Sequence, residues 1–278
     1  FPYTTLFRSI ENIDINHYIL NKIKDMDNYK NALECFKSES KNNDLFKEKN
    51  KIVYINNHGN LGIATALNNG CKAAIKDGFE WSLTMDQDSK VTQFNERILK
   101  QLSSIKNAGL YYPTYIINGE KYEYKILENN EPVIVMSSGN IINLAAYKEI
   151  GGFEDKLFID YVDFDYCIKL KQHGYNIEEA EGFTLQHELG KSFTKKNRFF
   201  KLMITNHPVI RRYYITRNKL YMLEKYKKFA PFYDNEKNTI VKEIVKIIFF
   251  EDQKIDKLKI MYTAYKDFRR NIFGKKIL

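Results

Sequence analysis

The chain reads as an α/β protein whose strands and helices alternate up to about residue 190, followed by a helical appendage. Three observations carry this reading. Short apolar runs at 51–55, 81–85 and 110–116 alternate with segments of helical spacing. Two acidic motifs, Asp86-Gln87-Asp88-Ser89 and Asp160-Tyr161-Val162-Asp163-Phe164-Asp165, stand where strands should end, and open α/β sheets collect their ligands at the carboxyl ends of strands. Beyond residue 190 the pattern turns helical, with aromatic and basic residues interleaved.

In chain order, residues 14–40 read as a helix with Ile19, Ile23, Met26 and Leu33 as apolar positions, broken by Asn42-Asn43-Asp44. A β-branched strand follows at 51–55, then the turn His58-Gly59-Asn60-Leu61-Gly62. A helix over 63–76 has Ala66, Asn69, Ala73 and Ala74 on its close-packing side and ends at Asp77-Gly78. The strand at 81–85 runs into the first acidic motif. A helix at 94–105, a strand at 110–116 and a polar loop or hairpin at 117–132 come next. A further strand starts at Pro132 and leads into Ser137-Ser138-Gly139-Asn140. A short helix at 144–150 closes on Gly151-Gly152, and a helix at 161–173 closes on Gly174 in the left-handed position after a helix end. A strand at 175–187 ends in Gln186-His187. Pro208 opens a helix to about residue 228, Ala230-Pro231 breaks it, and helices at 236–250 and 254–270 finish the chain.

Composition narrows the class. With 278 residues, five Pro, 13 Gly and no repeat, the chain is globular rather than disordered. Cys35, Cys71 and Cys167 have neither metal nor redox spacing and read as buried, reduced thiols of a cytoplasmic protein. No run reaches the ~18–20 apolar residues that cross a bilayer; the longest, 240–250, is interrupted by Lys242, Glu243 and Lys246. In it Ile240, Ile244 and Ile248 lie beside Val241, Val245 and Phe249, for which core packing is the simpler reading. Residues 191–278 hold 23 Lys+Arg against 8 Asp+Glu, whereas residues 1–190 hold 21 against 27. A basic tail on a mildly acidic body suits an anionic membrane face or a phosphorylated substrate. No nucleic-acid-binding motif accompanies it, so no nucleic acid is expected as a partner. The opening Phe1-Pro2-Tyr3-Thr4-Thr5-Leu6-Phe7-Arg8-Ser9 reads as a translated sequencing adapter, leaving 10–195 as the catalytic domain and 196–278 as a basic helical region packed on it.

Several residues are candidates for chemistry. An isolated Asp-x-Asp pair usually forms a turn, but Asp86 and Asp88 follow an apolar strand, where carboxylates suit a hard divalent cation completed by phosphate oxygens. Asn60, Gly62 and Asn68 are either a plain turn and helix or a close backbone approach to a diphosphate, which Gly62 would allow. Asp160, Asp163 and Asp165 crowd a helix start, where the dipole favours them, and Asp165 can pair with Lys169. Asp163 shares a face with Cys167 and Leu170, which turns it inward as a general base; Asp160 is the second catalytic candidate. His187 is a structural histidine or a third metal contact. Arg217, among Arg211, Arg212 and Asn218 in an aromatic helix, is a packing arginine or a diphosphate ligand.

Taken together, Asn57-His58-Gly59-Asn60-Leu61-Gly62 with Asn68-Asn69-Gly70, the Asp86–Ser89 motif, Ser138-Gly139-Asn140, Phe158-Ile159-Asp160-Tyr161-Val162-Asp163, His187 with Gly190, and Tyr213-Tyr214 with Arg217-Asn218 resemble the family 2 glycosyltransferases of GT-A fold, specifically the rhamnosyltransferase group, over roughly residues 50–220. The resemblance implies an inverting transferase that uses dTDP-L-rhamnose with Mg²⁺ or Mn²⁺. It gives Asp86 and Asp88 to the metal and Asp163 the part of the base. It implies a lipid-linked or surface-glycan acceptor, such as O-antigen or capsule, at the inner face of the plasma membrane. A UDP- or GDP-sugar donor, or a non-catalytic scaffold of the same fold, are the alternatives. The family begins with two strands, the second ending in an Asp-Asn-x-Ser motif, that have no counterpart before Ile10. The expectation is a GT-A sheet lacking its first two strands, with donor binding impaired.

Overall fold

A computed structural model describes residues 5–11, 14–21, 51–55, 57, 59–86, 89–95, 97–117, 119–122, 124, 134–186, 193–197, 200–204 and 206–277, with backbone alone at 5–21, 51–54, 99, 193–204 and 230–231. The chain forms two compact units, Phe1–Asp155 with Val162–Glu188, and Lys156–Tyr161 with Leu189–Leu278.

The first unit is built on a mixed sheet. Its strands are β1 (Thr5–Glu11), β2 (Asp14–Asn21), β3 (Lys51–Ile55), β4 (Trp81–Asp86), β5 (Lys90–Phe94), β6 (Ala108–Ile117), β7 (Glu120–Lys121), β8 (Ile141–Asn143) and β9 (Asn176–Gln186). They lie in the order β3-β2-β1-β4-β8-β6-β9-β5, with β7 hairpinned onto β6. The short β8 runs antiparallel to both β4 and β6, and β6 is parallel to β9. Helices α1 (Ile63–Lys76), α2 (Arg97–Ser104), α3 (Leu144–Glu149) and α4 (Val162–Gln172) connect the strands. This mixed α/β architecture is the one expected.

The core explains the pattern. Leu83 and Met85 of β4, Tyr111 and Tyr115 of β6, and Phe183 and Leu185 of β9 alternate along their strands and meet in one buried cluster with Ile98 of α2. Burying each large side chain is worth about 1.5–3 kcal/mol. On α1, Ala64, Ala66, Leu67, Cys71 and Ala74 face inward, and small residues there let the helix approach closely. Gly62 precedes α1 at φ 93, a conformation that favours glycine.

Some expectations change. Residues 14–21, expected as the start of a helix, form β2, and the remainder of that expected helix lies outside the described residues. The sheet is not left open beside β4: Thr5–Glu11, which includes residues read as foreign, pairs antiparallel with it, Leu6 opposite Met85. The β-branched and aromatic content of both segments suits strand pairing better than the weak helical spacing suggested. Residues 134–136 are not a strand; the pairing segment is Ile141–Asn143, just after the Ser137–Asn140 turn. β5 and a hairpin of β10 (Phe193–Asn197) and β11 (Phe200–Ile204) were not anticipated.

The second unit contains that hairpin and helices α5 (Val209–Lys225), α6 (Ala230–Glu236), α7 (Thr239–Phe250) and α8 (Lys254–Arg269). Pro231 does not break the chain but opens α6, where its missing N–H costs nothing. Tyr213 and Tyr214 of α5 pack with Phe158 and Ala264. The interior also holds charges that satisfy one another. Lys219 binds Glu243 at 2.7 Å and Thr239 Oγ1 at 2.8 Å, Arg212 contacts Glu251, and Lys257 reaches Glu251 at 2.9 Å and Asn206 Oδ1 at 2.6 Å. Buried charges are tolerable only when paired in this way. The apolar stripe of α7 divides: Ile240 and Ile244 are half-buried, whereas Val241, Val245, Ile248 and Phe249 are exposed, so core packing accounts for only part of it.

His207, just before α5, is held neutral: burial, then the nearby Arg211 and Arg212 charges, bring its pKa down to about 4 from the usual 6.5. Lys257 acts in the same direction and Glu251 against it. The unfolded chain therefore binds a proton that the folded chain refuses as pH falls from 6.5 towards 4, and stability from this group, complete above 6.5, is lost across that window. The urea midpoint is expected to fall between about pH 7 and about pH 5, and His207→Gln should reduce that fall.

Candidate active site

The first unit's site is assembled at the end of β4. Thr84 is strapped to the Ser137–Asn140 turn: its N–H donates to Asn140 O at 2.8 Å, its hydroxyl to Ser137 O at 2.5 Å, and its carbonyl accepts from Gly139 N at 2.5 Å. Gly139 has φ +80, and a side chain there would meet Pro113 Cγ at 2.7 Å, so the turn requires glycine. Two residues on from Thr84, the Asp86 N–H donates to Ser138 Oγ at 3.0 Å, and Ser138 Oγ donates to Ser89 Oγ at 2.8 Å. The half-buried Asp86 carboxylate is thus carried on a backbone fixed from two sides.

Below this turn lies Tyr115, fully buried, whose hydroxyl donates to Ser138 O. Its pKa is pushed well above the usual phenol value, first by burial, then by Tyr124, and then by the carboxylates of Asp86 and Asp163. Asp86 at the end of β4 and Asp163 in the first turn of α4 both belong to the first unit, and the charge of each raises the Tyr115 pKa. Asp163 is half-buried, and its Oδ1 accepts from the Phe164 N–H at 3.0 Å. Asp165, fully buried, pairs with Lys169 at 3.2 Å, as its spacing predicts.

The arrangement can hold a hard cation, because the groups offered are carboxylate oxygens at a half-exposed strand end. Among the described residues no group of three acidic, histidine or cysteine side chains comes together. Asp88 and His187 lie outside the described residues.

The other candidates have protein partners. Asn60 Oδ1 accepts from the Gly62 N–H at 3.0 Å, closing the turn before α1. Asn68, almost fully buried, is saturated: Nδ2 donates to Phe153 O at 2.9 Å and Asp155 Oδ1 at 3.0 Å, while Oδ1 accepts from Phe153 N and the Tyr147 hydroxyl, each at 2.9 Å. It ties α1 to the segment after Gly152 rather than facing a diphosphate.

In the second unit, Asp160 pairs with Arg211 at 2.9 Å; burial raises its pKa and Arg211 opposes that rise. Asp160 stands in a turn with Phe158, Asp160 and Tyr161 at φ 51, 62 and 67, a conformation that costs side-chain-bearing residues energy. Arg217 and Asn218 hold that turn. Asn218 Nδ2 lies 2.6, 2.7 and 3.1 Å from the carbonyls of Leu157, Ile159 and Asp160. Arg217 Nη2 donates to Lys156 O at 3.2 Å and Nη1 to Gly274 O at 2.8 Å, with its guanidinium over the Tyr213, Tyr214 and Phe273 rings. Arg217 is fully buried, and these contacts give it a packing role in the second unit.

Comparison with known proteins bears on the same motifs. Residues 35–167, which contain both Asp86 and Asp163, match the family described as glycosyl transferase family 2. The chain carries a family 2 glycosyltransferase domain. The mixed sheet with flanking helices is consistent with the GT-A fold of such domains. The dTDP-rhamnosyl transferase RfbF of Shigella flexneri is 28% identical to the chain over 186 residues, covering 60% of this chain. That alignment spans 61% of the relative's own length.

In this glycosyltransferase domain, sequence reasoning missed the strap from Thr84 and the phenol of Tyr115. Nothing local marks one tyrosine among 20 as the group that bonds the Ser138 carbonyl.

Proposed function

We propose that the protein is an inverting glycosyltransferase that moves L-rhamnose from dTDP-L-rhamnose onto a glycan or lipid-linked acceptor of surface-polysaccharide synthesis. The observation that carries the reaction class is the match of residues 35–167, which contain both Asp86 and Asp163, to family 2 glycosyltransferases. The donor rests on the relative described as a dTDP-rhamnosyl transferase.

In this reading Asp86, with Asp88, holds a Mg²⁺ or Mn²⁺ ion, which when bound neutralises charge on the leaving diphosphate. The Thr84 and Ser138 contacts fix the backbone of Asp86, so little reorganisation is needed as the diphosphate departs. Asp163 accepts the proton of the acceptor hydroxyl as that oxygen bonds to the anomeric carbon. The bond from that carbon to the phosphate oxygen breaks, dTDP leaves with the electron pair, and the configuration inverts. Asp163 shares its unit with Asp86, whereas Asp160 belongs to the second unit and pairs with Arg211.

The test is donor turnover. The protein with Mn²⁺ and an acceptor-bearing membrane extract should release nucleoside diphosphate from dTDP-L-rhamnose in preference to UDP- and GDP-sugars. Faster turnover of a UDP- or GDP-sugar would replace the donor and keep the reaction. Turnover of none would favour a non-catalytic scaffold.

A further inference from the structure

We propose that the outward face of α7 is a docking surface for an anionic lipid bilayer. This goes beyond the sugar-transfer reading and does not depend on it.

Val241, Val245, Ile248 and Phe249 recur at helical spacing on one side of α7 and are 64, 45, 42 and 67% exposed. Such a row of large apolar side chains in water is unfavourable unless something covers it. Lys242, exposed, and Lys246, half-buried, run along one edge of the row. The acidic residues are sorted the other way. Glu243 turns inward to Lys219 at 2.7 Å and Arg212 at 3.6 Å, and Glu251, at the helix end, is buried against Arg212 and Lys257. The outward face of α7 therefore carries apolar side chains and lysines and no carboxylate. An apolar row edged by lysine is the pattern of a helix lying in a membrane interface, its side chains in the acyl boundary and its ammonium groups among phosphates.

The neighbouring helix repeats the composition. Ile255 and Tyr262 of α8 are 68 and 64% exposed, and Lys266 lies over the Tyr262 ring at 5.5 Å. Across residues 191–278, 23 basic residues face 8 acidic ones, so the long-range field also favours an anionic surface. Charge argues against a second copy as the occupant: two such faces brought together would set lysine near lysine with no carboxylate to answer them. No helix among the described residues is long and apolar enough to cross a membrane, so the contact is peripheral.

The experiment is vesicle co-sedimentation of the full chain, using phosphatidylcholine alone or mixed with phosphatidylglycerol. The wild type should bind the mixed vesicles at least about tenfold better than the neutral ones, and added salt should weaken that binding. The Val245→Glu/Phe249→Glu and Lys242→Glu/Lys246→Glu proteins should each lose most of the binding; unchanged circular dichroism and thermal midpoint show that they remain folded. Phe249→Trp should give a blue-shifted emission with mixed vesicles only. Equal binding by the Glu variants, or no binding by the wild type, would overturn the proposal. A concentration-dependent dimer dissolved by Val245→Glu/Phe249→Glu, without vesicle binding, would also overturn it and give the face to a second copy.

Discussion

Asp163→Asn should lower the rate of sugar transfer by about 10²–10⁴-fold while leaving donor affinity within a factor of about two. The substitution is nearly isosteric. The amide oxygen can still accept the Phe164 N–H, and the first turn of α4 keeps a polar residue, so the fold has little reason to change. What is lost is basicity: an amide cannot take the acceptor's proton. Steady-state transfer and equilibrium donor binding, measured on the same preparation, separate the two effects. Asp160→Asn provides the contrast, because it removes a charge paired with Arg211 in a strained turn and should act on stability. If Asp163→Asn transferred sugar at the wild-type rate, the base would have to be sought elsewhere.

Asn218→Asp should destabilise the second unit by about 3–5 kcal/mol, visible as a large fall in its urea midpoint. The Asn218 amide is fully buried and its nitrogen faces three carbonyls of one turn. Exchanging that nitrogen for a carboxylate oxygen sets acceptor against acceptor and leaves the carbonyls without their donor. The same turn holds Phe158, Asp160 and Tyr161 in left-handed conformations, each costing about 1–2 kcal/mol, so it depends on such clamps. Asn218→Ala should also destabilise, because it removes this donor and the Oδ1 acceptor of Arg217 Nε and Nη2. Equal stability of wild type and Asn218→Asp would mean that the clamp is not what holds the turn.

How much of this was legible depends on what each residue displays locally. β4, α1, α4 and β9 announce themselves by unbroken apolar runs, by small residues at helical spacing, or by Gly174 after a helix end, and they lie within a residue or two of where the pattern puts them. The β10–β11 hairpin does not, because its lysines and phenylalanines show neither period cleanly. Segment 14–21 carries Ile19 and Leu20 in a pattern that either structure accepts, and pairing with neighbours on both sides decides for the strand. Asp86 and Asp163 were legible as carboxylates at strand and helix mouths; the effect of each on Tyr115 was not, since it depends on the order of strands in the sheet. Arg217 and Asn68 show what the sequence hides. Both residue types bind phosphates when exposed, and only tertiary structure reveals that the Lys156 and Gly274 carbonyls occupy one, and Phe153, Asp155 and Tyr147 the other. The α7 stripe was read as core because spacing alone does not distinguish a buried face from one that water, or a membrane, reaches.

The most direct test of the central claim is calorimetric titration of dTDP-L-rhamnose into the wild type and Asp86→Asn, each with and without Mn²⁺. Whatever the absolute affinity, Mn²⁺ should tighten binding to the wild type by at least about tenfold, and Asp86→Asn should abolish that increment. Binding that is indifferent to Mn²⁺, or an increment of the same size in Asp86→Asn, would contradict the assignment of Asp86 to a metal-assisted diphosphate site.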